Sequence, residues 1–401
     1  MHFQIFEMAN KVKHNIPKLY IIKIAKWFML FMPFMIPFYQ DNGLDLAQIS
    51  LLKAIYSISI VVLEIPSGYL ADILGRKKTL LIGSLLGFLG FATYSVSYGF
   101  IGFLIAEIIL GFGQSLISGA DSAMLFDTLD DLKRKDEYVK YEGRIISIGN
   151  LAETIAGIAG GLLVGISLRF PYYVQTAVAF TAVPAALTLV EPIRNTKMLN
   201  VGFKHILQIV KYSLFDNREL RWNIIHSSVI GAATLTMATL VVQPYLLLID
   251  IPLFYFGIIW PALNLTVGAI AFYAYKIERK LDKAKSLFII TVFIPFGYIA
   301  LSQAVAYWGI VILFLFYIFR GFATPVLKDY INQLTDSDVR ATVLSVRNFV
   351  IRIFFAIIGP FIGWYTDLVS LQGAALIAGL TFLLFAGVSL VMQLKIIKSK
   401  S

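Results

Sequence analysis

Long apolar segments, each close to the length of one bilayer crossing, repeat along the whole chain. A helix of about 20 apolar residues spans the hydrocarbon core of a membrane. Twelve such segments are predicted, at residues 20–39, 45–71, 79–97, 99–128, 142–168, 170–190, 221–249, 252–275, 285–303, 307–333, 339–365 and 372–394. We therefore expect an all-α membrane protein with twelve transmembrane helices, in two sets of six.

The composition agrees with this fold class and excludes others. The chain is 58% hydrophobic and 14% charged, whereas a soluble domain carries about 25% charged residues. The net charge of +10 is divided among short clusters between apolar segments. Membrane topology and anionic lipid explain such clusters better than nucleic acid does. Cysteine is absent, and we find no catalytic, nucleotide-binding or metal-binding motif. We expect no enzyme activity, no cofactor and no metal.

The positions of lysine and arginine predict the topology. Basic clusters occupy alternate connections between the segments, and Arg169 is the one basic residue in a connection on the opposite side. Because basic loops stay in the cytoplasm, we place both termini there, in a cell (inner) membrane. The predicted division is a tail over residues 1–18, a bundle over 19–190, a linker over 191–220, a bundle over 221–394 and a tail over 395–401.

A charged turn joins the second and third segments. It reads Gly68-Tyr69-Leu70-Ala71-Asp72-Ile73-Leu74-Gly75-Arg76-Lys77-Lys78. Its Gly68, Asp72, Gly75 and Arg76 resemble the signature of the major facilitator superfamily, Gly-x-Leu-Ala-Asp-x-x-Gly-Arg-Lys-Lys. The resemblance, to a prokaryotic drug-efflux-like branch, implies two six-helix bundles around a central cavity and secondary transport by alternating access.

The resemblance also assigns a gating role to this motif. Asp72 would face the start of the eleventh segment, residues 337–340, where the partial positive charge of a helix N-terminus favours a carboxylate. This contact would close the cytoplasmic side. The corresponding second copy, residues 275–287, keeps its cations but has neither glycine nor an aspartate at the matching positions. A one-sided clamp is therefore expected.

Ionisable residues inside the segments are candidates for function, because each costs free energy unless it is paired or hydrated. In the fourth segment Glu107, Gly111, Gln114, Ser118 and Asp121 are spaced to share one helical face. Tyr317, Arg320, Thr324 and Lys328 do the same in the tenth. Glu153 lies in the fifth segment, and Arg347, Asn348 and Arg352 lie in the eleventh. By resemblance, helices one, four, seven and ten line the cavity, flanked by two, five, eight and eleven.

The acids are concentrated in the first half and the cations in the second. We predict proton coupling by Glu107, Asp121 and Glu153, since removal from water favours the neutral form of a carboxyl. The predicted substrate-cavity residues are Phe31, Phe34, Gln114, Arg320, Thr324, Arg347 and Arg352. The alternatives are that the charges pair with one another across the bundles and that the aromatic residues serve only in packing.

The leading hypothesis is a proton-coupled exporter of a small organic solute. Its expected partners are that solute, protons and the lipid bilayer, without nucleic acid, and the expected oligomeric state is a monomer. One rival is uptake of an organic anion, suggested by the cations of the second half. The other is a receptor or scaffold that keeps the fold without transporting.

Overall fold

The structure is a computed structural model that describes residues 12–118, 120–192, 208–335 and 339–398. At residues 64–66, 68, 69, 72, 139, 146, 341, 397 and 398 it describes the backbone alone. Most of the predicted N-terminal tail, half of the predicted linker, and residues 337 and 338 of the predicted clamp lie outside the described residues.

The described residues form helices and no strands. Those of the first half are α1 (Asn15–Trp27), α2 (Met35–Asp41), α3 (Leu46–Leu74), α4 (Arg76–Val96), α5 (Gly99–Ile117), α6 (Ala120–Asp131), α7 (Tyr138–Leu163), α8 (Phe170–Phe180) and α9 (Ala182–Leu187). Those of the second half are α10 (Arg218–Thr236), α11 (Val242–Leu248), α12 (Leu253–Gln303), α13 (Gly309–Asn332), α14 (Arg340–Leu368) and α15 (Leu371–Lys398).

These helices account for every predicted membrane segment. Within the described part of the chain, 10 stretches are long and apolar enough to cross a membrane. One of them, α12, has 51 residues and breaks at Asp282, so it covers two predicted segments. Helices α8 and α9 together cover the sixth segment. The prediction of an all-α chain with twelve spanning segments is confirmed.

Several spans are interrupted in ways that hydropathy does not reveal. The first is divided between α1 and α2 by a short 3-10 helix that contains Pro33. The seventh contains a π-helical turn, Met237–Val241. The fourth is divided at Ser118, whose backbone is extended (φ −63°, ψ 123°). The expectation of one continuous polar face from Glu107 to Asp121 is therefore wrong. Serine favours such a break because it is a poor residue for a helix interior.

The chain forms two compact units. The first unit comprises the described residues of Met1–Leu44, Ile55–Leu199 and Leu253–Pro261. The second unit comprises those of Asp45–Ala54, Asn200–Pro252 and Ala262–Ser401. Each unit thus contains a short segment from the other half of the sequence.

In the first unit, that short segment is held by close backbone contact. A Cβ atom placed on Gly257 of α12 would lie 2.7 Å from the carbonyl oxygen of Gly157 and 2.9 Å from Cα of Gly161, both on α7. Such contacts are shorter than any side chain tolerates, so glycine lets the two helices approach.

In the second unit, the start of α3 is capped by a side chain of α14. The carboxylate of Asp367 accepts hydrogen bonds from the backbone N–H groups of Leu46 (3.2 Å) and Ala47 (2.7 Å). A carboxylate at a helix N-terminus satisfies otherwise unpaired donors and complements the helix dipole.

The exceptional Arg169 has a structural role in the first unit. Its guanidinium donates to the carbonyl oxygens of Tyr94, Ser95 and Ser97 at 2.8–3.1 Å, at the end of α4. It also lies 4.0 Å from the ring centroid of Tyr98. A cation at a helix C-terminus complements the dipole there, which explains a basic residue on the side that otherwise has none.

Candidate functional site

A cavity of about 330 Å³ lies within the second unit, among α10, α13 and α14. Four cationic side chains contribute to its lining, namely Arg320, Lys328, Arg347 and Arg352. Arg320 and Lys328 lie on α13, and Arg347 and Arg352 lie on α14. Residues four apart in a helix lie on one face. Arg320, Thr324 and Lys328 follow that spacing on α13.

The four cations differ in how the protein holds them. Arg347 is only 5% exposed; its Nε donates to the hydroxyl of Ser227, and one terminal nitrogen donates to Oδ1 of Asn348 at 3.2 Å. The guanidinium of Arg320 lies 5.1 Å from the ring centroid of Tyr317, a favourable cation–π distance. Within the described residues, neither Lys328 nor Arg352 has a salt bridge.

The described lining of this cavity contains no carboxylate. Asp329, next to Lys328 in the sequence, instead accepts a hydrogen bond from the side chain of Gln333 at 2.6 Å. The remaining lining is polar at Thr234, Thr324 and Asn348 and otherwise mainly aliphatic. The cavity thus combines positive charge with apolar walls.

Four of the predicted substrate-cavity residues meet here, namely Arg320, Thr324, Arg347 and Arg352. The other three lie in the first unit. Phe31 and Phe34 are 8% and 0% exposed. The ring of Phe31 is 4.9 Å from that of Tyr172, and Phe34 stacks on Phe256 at 6.5 Å. Gln114 is partly buried on α5.

Glu107 is enclosed in an aromatic cluster of the first unit. It is 1% exposed, and its carboxylate accepts a hydrogen bond from the Tyr39 hydroxyl at 2.7 Å. The hydroxyls of Tyr39 and Tyr94 are hydrogen-bonded to each other. Phe103 packs on both rings, with centroids 5.2 and 5.6 Å away. The Glu107 carboxyl thus lies among tyrosine hydroxyls and aromatic rings, as expected for a group that contributes to the packing of this unit.

Asp121 lies near the cations of α1. Its carboxylate is 3.7 Å from Nζ of Lys23, and both side chains are mostly buried. The Lys23 ammonium also lies 5.4 Å from the ring centroid of Trp27. Lys26, one turn from Lys23, is partly buried and forms no salt bridge within the described residues. Glu153 is likewise partly buried, on α7.

The motif between α3 and α4 forms a tight, ion-paired turn. Gly75 has φ of 101°, a conformation that favours glycine. The carboxylate of Glu191 accepts the backbone N–H groups of Arg76 and Lys77, each at 2.8 Å. Nε of Arg76 lies 3.5 Å from the Asp127 carboxylate. At Gly68 and Asp72 the structure describes the backbone alone.

The second copy keeps the backbone conformation of this turn. Asp282 has φ of 66° and occupies the place of Gly75 when Lys285 is aligned with Lys78. Its carboxylate accepts the N–H of Lys285 at 3.0 Å, so it caps the following helix in the way that Glu191 caps α4. The turn is thus preserved although its glycine is not.

Four residues of these sites are not among the candidates predicted from the sequence, namely Lys23, Lys26, Tyr39 and Tyr94. For the two lysines the signal was present, because both lie within the first predicted span, where an ionisable residue is a functional candidate by default. The tyrosines carried no comparable signal. Only the packing of α2, α4 and α5 brings their hydroxyls to Glu107.

The sequence pattern of the Major Facilitator Superfamily matches residues 21–360 of the chain. This chain belongs to that superfamily. It is therefore a multi-pass membrane protein of a transporter family.

Curated relatives of this superfamily member match part of its length. Quinolone resistance protein NorA of Staphylococcus aureus is 25% identical over 168 residues, which cover 42% of each chain. Multidrug resistance protein 2 of Bacillus subtilis is 26% identical over 170 residues, covering 41% of this chain and 42% of that protein. The matched region therefore spans about two fifths of these relatives.

Solved structures share the fold over almost the whole chain. The nucleoside transporter NupG has a TM-score of 0.77 at 16% identity, covering 96% of this chain and 99% of its own. A bacterial homologue of the human lysosomal transporter Spinster, inward-facing and unoccupied, has a TM-score of 0.75 at 13% identity and covers 96% of each chain. At these identities the likeness concerns the fold alone.

Proposed function

We propose that the protein is a proton-coupled secondary transporter that exports a small organic solute by alternating access. The observation that carries the proposal is the charged cavity of the second unit, about 330 Å³ in volume. Ionisable side chains in a membrane-spanning helix are costly unless they are paired or hydrated. Cations that open onto a solute-sized cavity are arranged for a ligand rather than for packing.

Export is proposed from the relatives. The two curated proteins described above are named for drug resistance, and they match the chain at 25% and 26% identity. We place the protein in the cell (inner) membrane as a monomer with both termini in the cytoplasm. Uptake of an organic anion is the second candidate, and the excess of cations around the cavity favours it.

Proton coupling is assigned to the carboxyls of the first unit. Glu107, Asp121 and Glu153 are candidates because each lies in a membrane-spanning stretch and none is exposed. We give Glu153 first place over Asp121 because Glu153 lies near the middle of α7, whereas Asp121 lies in the first turn of α6.

The test is solute flux in proteoliposomes under an imposed pH gradient, after a thermal-shift screen of metabolites and drugs at two pH values has identified a substrate. Glu153→Gln should abolish gradient-driven accumulation while solute exchange without a gradient persists. The matched control is Asp136→Asn, a neutralised acid in an exposed connection. Gradient-driven flux that survives Glu153→Gln would remove this assignment, and background flux for every solute would favour a receptor or scaffold.

The gate is proposed to depend on the first turn more than on the second. Asp72→Asn should slow transport more than Asp282→Asn, because Asp282 caps its own helix locally through the N–H of Lys285. Initial rates of exchange in proteoliposomes measure the difference. An equal or smaller effect of Asp72→Asn would reject a one-sided clamp.

A further inference from the structure

We propose that the cavity of the second unit binds an organic anion carrying at least two negative charges. Its role as the transported substrate rests on the function proposed above, whereas the binding itself does not. The site would take carboxylate or phosphate-type groups on a compact apolar body.

The cavity concentrates positive charge. Arg320, Lys328, Arg347 and Arg352 share one cavity, and its described lining contributes no carboxylate. Like charges that share one cavity repel one another. An anionic ligand would reduce this repulsion. Because four cations are present, a ligand with one negative charge would leave most of the positive charge unbalanced, so we infer at least two negative charges.

Two of the cavity cations have N–H donors that no described residue accepts. Arg352 makes no hydrogen bond with any described residue, and the Arg320 guanidinium, which lies against the Tyr317 ring, makes none within the described residues either. A guanidinium presents parallel N–H groups that fit the two oxygens of a carboxylate or phosphate. Arg347, by contrast, is fixed by Ser227 and Asn348 and would supply positive charge from a set position.

Part of the cavity lining is apolar. Ile230, Leu235, Ala323, Leu327 and Ile351 form aliphatic walls beside the cations. A cavity of about 330 Å³ is near the lower end of the range for small-molecule sites. Such walls would contribute little to inorganic phosphate, but they would bury the carbon skeleton of an organic anion.

The experiment measures the thermal stability of the purified full-length protein with three probes of similar shape at pH 8. These are phenylphosphonate, a dianion at this pH; benzenesulfonamide, which is neutral; and phenyltrimethylammonium, a cation. Phenylphosphonate should raise the melting temperature in a dose-dependent way and more than inorganic phosphate does. The neutral and cationic probes should leave it unchanged.

Variants tie the effect to the cavity. Arg320→Gln and Arg352→Gln should each weaken phenylphosphonate binding roughly 10- to 100-fold, the loss expected for one charge-assisted contact. Arg352→Lys, which keeps the charge and removes the fork, should fall between Arg352→Gln and the unaltered protein. Lys280→Gln, at an exposed position outside the cavity, should bind normally. Arg352→Lys also keeps the test decisive if a neutral variant does not fold.

Three results would overturn the proposal. The first is stronger stabilisation by the cation than by phenylphosphonate. The second is phenylphosphonate affinity in Arg320→Gln and Arg352→Gln equal to that of Lys280→Gln. The third is stabilisation by dioctanoyl phosphatidic acid but not by phenylphosphonate, which would identify a lipid headgroup site.

The anion site and the proposed transport function can fail independently of each other. Gradient-driven flux of a neutral or cationic solute, without anion binding, would retain the transporter and remove the anion site. Binding of phenylphosphonate with no flux of any solute would retain the anion site and remove the transporter.

Discussion

Glu107 in the first unit and Arg352 in the second unit both lie within membrane-spanning helices, but the protein surrounds them differently. Glu107 is 1% exposed and accepts a hydrogen bond from the Tyr39 hydroxyl. Arg352 instead lines a cavity and donates no hydrogen bond to any described residue. A buried charge with fixed donors contributes to the native structure. A charge left without a partner at a cavity is available to a ligand.

The largest effect should follow removal of the Glu107 carboxyl. Glu107→Ala leaves a void and deprives the Tyr39 hydroxyl of its acceptor, so we expect a loss of about 2–4 kcal/mol in the free energy of unfolding. Glu107→Gln, which keeps an acceptor oxygen, should cost less. Denaturant unfolding followed by circular dichroism measures both. A loss no greater than that of Asp136→Ala, in an exposed connection, would contradict a structural role for this cluster.

Arg347 should behave more like Glu107 than like its neighbours in the cavity. Arg347→Gln removes the donor to the buried Ser227 hydroxyl, and we expect a loss of about 1–2 kcal/mol. Arg352→Gln is the matched comparison and should cost almost nothing in the same unfolding assay. Equal losses would mean that all cavity cations serve the structure.

The Tyr94 hydroxyl tests the cluster without altering charge. Tyr94→Phe removes its hydrogen bond with Tyr39 and should lower the free energy of unfolding by about 1 kcal/mol. Tyr98→Phe is the control, because the Tyr98 side chain is 71% exposed. If the two variants unfold alike, the hydroxyl network adds little to the packing of the rings.

The smallest effect should come from neutralising Arg320 and Arg352 together. Arg320→Gln combined with Arg352→Gln should leave stability without ligand unchanged or raise it by about 0.5 kcal/mol, since repulsion between like charges is removed. Unfolding in chloride buffer measures this. A clear loss of stability would show that these cations have partners in the native protein, and the contrast between the units would fail.

The turn at residues 68–78 and its second copy at residues 275–287 show where sequence comparison reached its limit. The sequence predicted a one-sided clamp because the second copy has neither glycine nor an aspartate at the matching positions, and Asp282 stands where the first copy has Gly75. Both residues nevertheless adopt a positive φ. With ψ of 169°, Asp282 lies outside the left-handed helical region, in a conformation that is strained for a residue with a side chain. Its carboxylate nevertheless caps the next helix. A motif search weighs residue identity, whereas the backbone can be preserved by a different residue.

The site residues divide in the same way. Helical spacing on one segment correctly brought Arg320, Thr324 and Lys328 to one face, because that periodicity is local. The same kind of argument gave a wrong prediction for the fourth span, where one continuous polar face was expected, because the backbone is extended at Ser118. Phe31 and Phe34 were weighed as cavity walls, but their burial against Tyr172 and Phe256 depends on how separate helices pack.

The sequence alone determined the class of protein, the number of spanning segments and the family, because apolar length and a short charged motif are local properties that the membrane makes obligatory. Only the tertiary structure decided which charges are enclosed and which face a cavity. That distinction depends on side chains far apart in the sequence, such as Tyr39 with Glu107 and Ser227 with Arg347. Their proximity arises when the helices pack, and no spacing along one segment encodes it.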